Sequence, residues 1–136
     1  MVCRRRGLIL LIGADVMLAQ QVRADGVHLP ERLVSRRPHR TRGLITAAAH
    51  SRAAAVRAQN AGARAIFLSP VLPSRSPSAV KSLGARKAAG IAQTVQCPVF
   101  ALGGINAKSA RRLQRPGFSG LAGIEAFAPD QKRKAD

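Results

Sequence analysis

Three segments of the chain repeat one pattern: "AQQVRADGVHL" from Ala19, "AQNAGARAIFL" from Ala58 and "LQRPGFSGLAGI" from Leu113. In each, a helix-like stretch meets small or turn-forming residues and gives way to a short apolar run. Small residues let a chain leave a helix, and short apolar runs bounded by turns read as strands, so each segment is the helix-to-strand half of a βα unit. Reading outward predicts strands near 8–12, 26–29, 43–48, 65–68, 98–102 and 119–124, with Ala-rich helices over 51–61 and 85–95. The segment 31–42, "ERLVSRRPHRTR", is broken by Pro38 and reads mainly as a basic loop. Strands without clear alternation, separated by helices, predict an α/β fold with a parallel sheet buried on both faces. About six units are present. A closed (β/α)₈ barrel needs eight, an open doubly wound sheet can stop at five or six, and periodicity does not choose between them.

The 136 residues suffice for one domain, and the 46% hydrophobic content suffices for a core, although much of it is alanine, which buries little area per residue. Lys and Arg number 23 against 6 acidic residues, a formal charge of +17. Such a charge attracts phosphate-rich partners and anionic surfaces, but the arginines are scattered along the chain rather than gathered into one run, as a compositional bias would leave them. A nucleic-acid-binding fragment is the rival reading, through counterion release. It lacks an aromatic platform: there is no Trp or Tyr, and the four Phe sit in or beside apolar runs. Cys3 and Cys97 make neither a metal spacing nor a disulfide framework. The basic, then apolar, opening is cut short by Asp15, and no apolar run approaches the about 20 residues of a membrane span, so a cytoplasmic location is expected.

In either architecture ligands bind at the carboxyl ends of the strands. After "CPVFAL" come Gly103, Gly104, Ile105 and Asn106, with a helix beginning near Ala107. Two glycines let backbone N–H groups approach an anion, and a helix N-terminus adds its dipole; a tight turn needing glycine's freedom is the structural alternative. Gly123, in "GLAGIEAF", repeats the arrangement after the last strand, so the two turns form a candidate phosphate cradle. On this reading Gly104→Asp abolishes ligand binding and leaves the protein soluble. The loop "LSPVLPSRSPSAVKSLG" adds Ser69, Ser74 and Ser76 as hydroxyl donors with Arg75 and Lys81 as cations, a set suited to a phosphorylated or diphosphate ligand. His28, His39 and His50 read as structural or solvent-facing, and no catalytic residue is assigned.

The segments "ADGVHLPE", "AHSRAAAVRAQNAGARAIFLSPVLPSRSPS", "PVFALGGIN" and "GLAGIEAF", in this order and spacing, resemble thiamine-phosphate synthase and its relative, the thiazole tautomerase TenI. The resemblance runs from about Leu8 to Phe127. It implies a (β/α)₈ barrel of the TIM type whose third to eighth units are present here, with a barrel domain over 1–128 and a basic, disordered tail over 129–136. It also implies a transferase of thiamine biosynthesis that joins a pyrimidine diphosphate (HMP-PP) to a thiazole phosphate with Mg²⁺, releasing pyrophosphate and forming thiamine phosphate. By the same resemblance Gly104 and Ile124 bind the thiazole phosphate, with Gly103 and Gly123 in the same turns. Ser74 and Ser76 stand at the threonines of the family's "PTxT" loop, with Arg75 between them as a pyrophosphate contact.

The departures are equally specific. The family's Gln-x-Arg-x-Lys strand has no counterpart in this chain. The two magnesium-binding aspartates are replaced by Ala14 and Leu33, with Asp15 and Glu31 one and two residues away, so no metal ligands are assigned. Pro77 replaces the loop lysine, Ala48 the serine before "HS", and Pro70 the tautomerase's catalytic histidine. Two further readings stand beside the synthase: a non-catalytic TenI-like domain that binds thiazole phosphate or thiamine phosphate, and the nucleic-acid-binding fragment. The missing strands leave an open sheet edge that invites pairing with a second copy.

Overall fold

The computed structural model describes residues 2–35, 43–73, 81–113 and 117–124. Six strands alternate with helices along the chain: α1 (Val2–Arg5), β1 (Leu11–Gly13), α2 (Val16–Gln21), β2 (Gly26–Leu29), β3 (Leu44–Ala49), α3 (Arg52–Asn60), β4 (Ala65–Leu68), α4 (Ala85–Ala92), β5 (Val99–Ala101), α5 (Ala107–Leu113) and β6 (Gly120–Leu121). A 3₁₀ turn over Glu31–Leu33 follows β2. All pairs are parallel, and the sheet order is β1-β2-β3-β4-β5-β6. Each strand therefore lies beside its sequence neighbour, without the order reversal of a doubly wound sheet. The architecture is α/β and barrel-like.

Local chemistry sets the helix boundaries. Asp15 Oδ1 accepts the Leu18 N–H at 2.8 Å and starts α2, and Ser51 Oγ accepts the Ala54 N–H at 3.1 Å and starts α3. Asn106 Oδ1 accepts the N–H groups of both Lys108 and Ser109, at 3.0 and 2.9 Å, and starts α5. The helices bury small stripes: Ala54, Ala55 and Ala58 on α3, and Ala88, Ile91 and Ala92 on α4. These close on Val27, Leu29, Ile45, Ala47, Ala49, Ile66, Leu68, Val99 and Ala101 of the sheet. Among the described residues, Ile66 and Leu68 of β4, Val71 just beyond it and Val99 of β5 are the largest fully buried side chains.

The opposite face differs from the expectation of a sheet buried on both sides. His28, Ala48, Phe67 and Phe100 are only half-buried there, and Thr46 alone among these side chains is buried. With strands in sequence order, crossovers of one hand lay the helices on a single side, so the other side is covered only by closure of a barrel. The edge strands are also shorter than predicted. β1 starts at Leu11, leaving Leu8 and Ile9 exposed, and β6 has two residues. Each edge strand has a neighbour on one side only, so pairing ends where that neighbour ends. The segment 31–42 forms a single 3₁₀ turn before residues 36–42, which fall outside the described residues together with Pro38 and His39. The tail over 129–136 also lies outside them.

Candidate functional site

The site assembles where the strands end. Ala101 of β5 pairs with Leu121 of β6, so Gly103 and Gly123 each stand two residues beyond paired neighbours, and Gly104 and Ile124 stand three beyond. The parallel register thus brings the four predicted cradle residues to one end of two adjacent strands. Gly103 and Gly104 both have positive φ, +95° and +66°, and neither amide N–H donates to another described residue. Ile124 is 77% exposed. Ser74, Arg75, Ser76 and Pro77 lie outside the described residues; the chain enters their loop from β4 through Ser69–Pro73.

That entry segment packs directly on the glycine turn. Val71 N–H donates to Leu102 O at 2.8 Å and Leu72 N–H to Gly103 O at 3.2 Å. A Cβ on Gly103 would come within 2.8 Å of Pro70 Cα, and one on Gly104 within 2.5 Å of Pro73 O and 2.8 Å of Leu72 Cβ. Both glycines are therefore required by close backbone approach as well as by backbone conformation. Gly104→Asp, expected from sequence to act on the ligand alone, would also displace this segment. The α5 terminus is similarly occupied: Asn106 takes two of its N–H groups, while Ser109 Oγ accepts Asn106 N–H at 2.8 Å and lies 3.0 Å from Gly104 O, its hydroxyl donating there. Any anion at this turn meets the glycine amides rather than the full helix end.

Beside the ends of β2 and β3, Glu31 gathers three donors. Its Oε2 accepts His50 N–H at 3.0 Å and lies 2.7 Å from His50 Nδ1, and its Oε1 accepts from Arg57 at 3.1 Å. Burial alone would raise the Glu31 carboxyl; the His50 hydrogen bonds and charge, with the Arg57 guanidinium, outweigh it and hold it below its ordinary value. The group lines a cavity of about 590 Å³ with Pro30, Arg32 and Val34. It clips the turn after β2 to the start of α3, a role not apparent in sequence because Glu31 and His50 meet only through the β2–β3 register.

The carboxylates do not fit a magnesium site. Asp15 caps α2, Glu31 has both oxygens engaged, and Ala14 and Leu33 offer no donor side chain. Among the described residues no group of three or more His, Cys, Asp or Glu side chains could hold a metal ion. Cys97 is half-buried, and burial pushes its thiol above the ordinary value, as suits a packing residue.

A family model described as thiamine monophosphate synthase (TMP-TENI) matches residues 1–127. The chain belongs to this family. It is 34% identical over 123 residues to the "Putative thiamine-phosphate synthase 2" of Aquifex aeolicus, covering 88% of this chain and 66% of that protein. It is 35% identical over 137 residues to the thiamine-phosphate synthase of Roseiflexus, covering 93% and 57%. Among solved structures, the thiamine phosphate pyrophosphorylase from Pyrococcus furiosus superimposes with a TM-score of 0.73 at 25% identity, over 90% of this chain and 60% of that one. The chain thus spans less than two thirds of the length of these thiamine-phosphate synthase relatives. No helix among the described residues is long and apolar enough to cross a membrane.

Proposed function

We propose that this chain acts in thiamine biosynthesis, holding the phosphate of a thiazole phosphate on the backbone N–H groups of Gly103 and Gly104, with Gly123 and Ile124 in the adjoining turn. The observation that carries this reading is the pair of positive-φ glycines after β5, whose N–H groups donate to no other described residue, at the carboxyl end of a parallel sheet. Family membership supplies the chemistry: joining the thiazole phosphate to HMP-PP with loss of pyrophosphate, Ser74, Arg75 and Ser76 contacting the diphosphate. In that reaction the protein chiefly positions ligands and neutralises developing charge. The domain runs over 1–128, the compartment is the cytoplasm, and a second copy pairs at the open edge.

The test is an NMR titration of ¹⁵N-labelled protein with hydroxyethylthiazole phosphate, and with inorganic phosphate for comparison. Saturating shifts at the Gly103 and Gly104 amides support the cradle; binding that leaves these amides unmoved refutes it. A coupling assay with HMP-PP on the same sample then separates synthase from binder. The engaged Asp15 and Glu31 carboxylates favour the second reading, a TenI-like domain that binds the ligand without turnover. Binding to RNA that weakens steeply with salt, without response to the thiazole phosphate, selects the nucleic-acid-binding fragment instead.

A further inference from the structure

The helical layer carries a cavity that the phosphate reading does not use. It lies between the start of α3 and one face of α4, with a volume of about 640 Å³. Lys87, Gly90 and Ile91, three and four residues apart, line it from α4, and Arg52 and Ala53 line it from the first turn of α3. Leu83, half-buried, adds a wall that is fixed in place: its N–H donates to Pro70 O at 2.9 Å, and the next N–H, of Gly84, donates to Val71 O at 3.0 Å. Gly90 has ordinary helical backbone inside α4, and nothing lies within 4 Å of the position a Cβ would take. Neither conformation nor packing among the described residues calls for glycine there, and a glycine inside a helix weakens it relative to alanine. Its structural effect is to leave the cavity open down to the helix backbone. Arg52 and Lys87 both face this space, neither pairs with a carboxylate among the described residues, and no acidic side chain lines it.

We propose that this cavity binds a small carboxylate carried on an apolar body, with the body on Leu83, Ile91 and the open face at Gly90 and the carboxylate on Arg52 and Lys87. Three observations carry this: a wall held in place by backbone hydrogen bonds, two cations without carboxylate partners over an apolar floor, and a mid-helix glycine that serves only to keep the space open. The volume falls within the roughly 300–1,000 Å³ of small-molecule sites. A bare anion would leave the apolar floor uncovered, and an uncharged body would leave both cations unmatched. A phosphate would seek the free N–H groups of a helix end, but Ser51 Oγ already accepts the Ala54 N–H at the start of α3. A carboxylate needs only the two side chains, through charge-assisted hydrogen bonds. The cavity uses no residue of the glycine turns, so it stands or falls apart from the cradle.

Three probes test it in ¹⁵N NMR titrations of the whole chain: 3-phenylpropionate, its uncharged amide 3-phenylpropionamide, and acetate, which has the charge without the body. Saturable shifts at the Lys87, Gly90 and Ile91 amides are expected with 3-phenylpropionate. The amide is expected to bind about tenfold more weakly, the worth of a hydrogen bond to a charged group, and acetate more weakly still. Arg52→Gln is expected to narrow the preference for acid over amide. Gly90→Leu fills the cavity with a good helix former at an exposed position, so it is expected to abolish binding while holding or raising the melting temperature. Equal affinity for acid and amide, acetate binding as tightly as 3-phenylpropionate, unimpaired binding by Gly90→Leu, or no binding at these amides overturns the proposal. Shifts at the Gly103 and Gly104 amides serve as the separate readout of the phosphate cradle.

Discussion

Replacing Gly104 and Gly62 by alanine, one at a time, separates two reasons for glycine that sequence cannot tell apart. Gly62, just past the end of α3, has φ +91°, and nothing lies within 4 Å of the position a Cβ would take. Gly62→Ala therefore carries only the left-handed backbone term, about 1 kcal/mol. Gly104 has a similar backbone, φ +66°, but its Cβ would meet Pro73 O at 2.5 Å and Leu72 Cβ at 2.8 Å. Leu72 is half-buried and Pro73 exposed, so the segment yields in part, and the added crowding falls in the lower part of the overpacking range, about 1–2 kcal/mol. The expected loss for Gly104→Ala is thus about 2–3 kcal/mol. At the specific unfolding entropy of globular proteins, each kcal/mol moves the melting midpoint of a domain this size by about 3–4 °C. Urea unfolding of wild type and both variants, fitted with a common m-value, measures the difference directly. Equal losses at the two positions would refute the close-approach argument and return Gly104 to a purely conformational role, freeing its amide's environment to be explained by ligand alone.

Three further outcomes follow from the same coordinates. Glu31→Gln should lower stability at pH 7 by about 1–2 kcal/mol, discounted because its His50 and Arg57 partners are 50% and 41% exposed. The native Glu31 carboxyl is held below its ordinary value, so its contribution is complete above that value and fades as pH falls through the native one; wild type and variant should converge in acid urea titrations, and a constant gap would refute the linkage. Ile66→Ala in β4, where Ile66 is 0% exposed, should cost about 3–4 kcal/mol by urea unfolding, since its small register partner Ala47 leaves little that can collapse into the cavity; a loss under about 1 kcal/mol would show that the helices settle inward. Magnesium chloride should leave the melting temperature unchanged; a saturable rise would mean that Asp15 or Glu31 leaves its present partners for the ion.

The six strands and the Ala-rich helices were legible because burial against one layer imposes a local pattern: apolar runs at "GVHL" and "AIFL", and alanines spaced along α3 and α4. The glycine turn was legible for the same reason, since its residues are contiguous. His28 with Thr46, and Glu31 with His50 and Arg57, were not, because their meeting depends on the parallel register of β2 and β3, which no stretch of either strand encodes alone. Nor did sequence show that Leu72 and Pro73 crowd Gly104: glycine's absence of a side chain is visible, but what occupies the vacated space is a tertiary fact. The opening helix Val2–Arg5 was also missed, a short element with no buried residue to leave a periodic signal.

The consecutive strand order has a consequence for how the chain reaches its native state. Leu11 pairs with Gly26, Gly26 with Leu44 and Thr46 with Ala65, so the first four strands find their partners within a few tens of residues. Loop-closure entropy stays small at such separations, and the contact order is low for a parallel sheet. During synthesis from the N-terminus, each new βα unit can dock on the one before it while the rest is still unmade, and only the longer excursion from Ile66 to Val99 delays the next addition. Assembly proceeds by accretion in one direction, and the strands that support the glycine turn are the last to arrive.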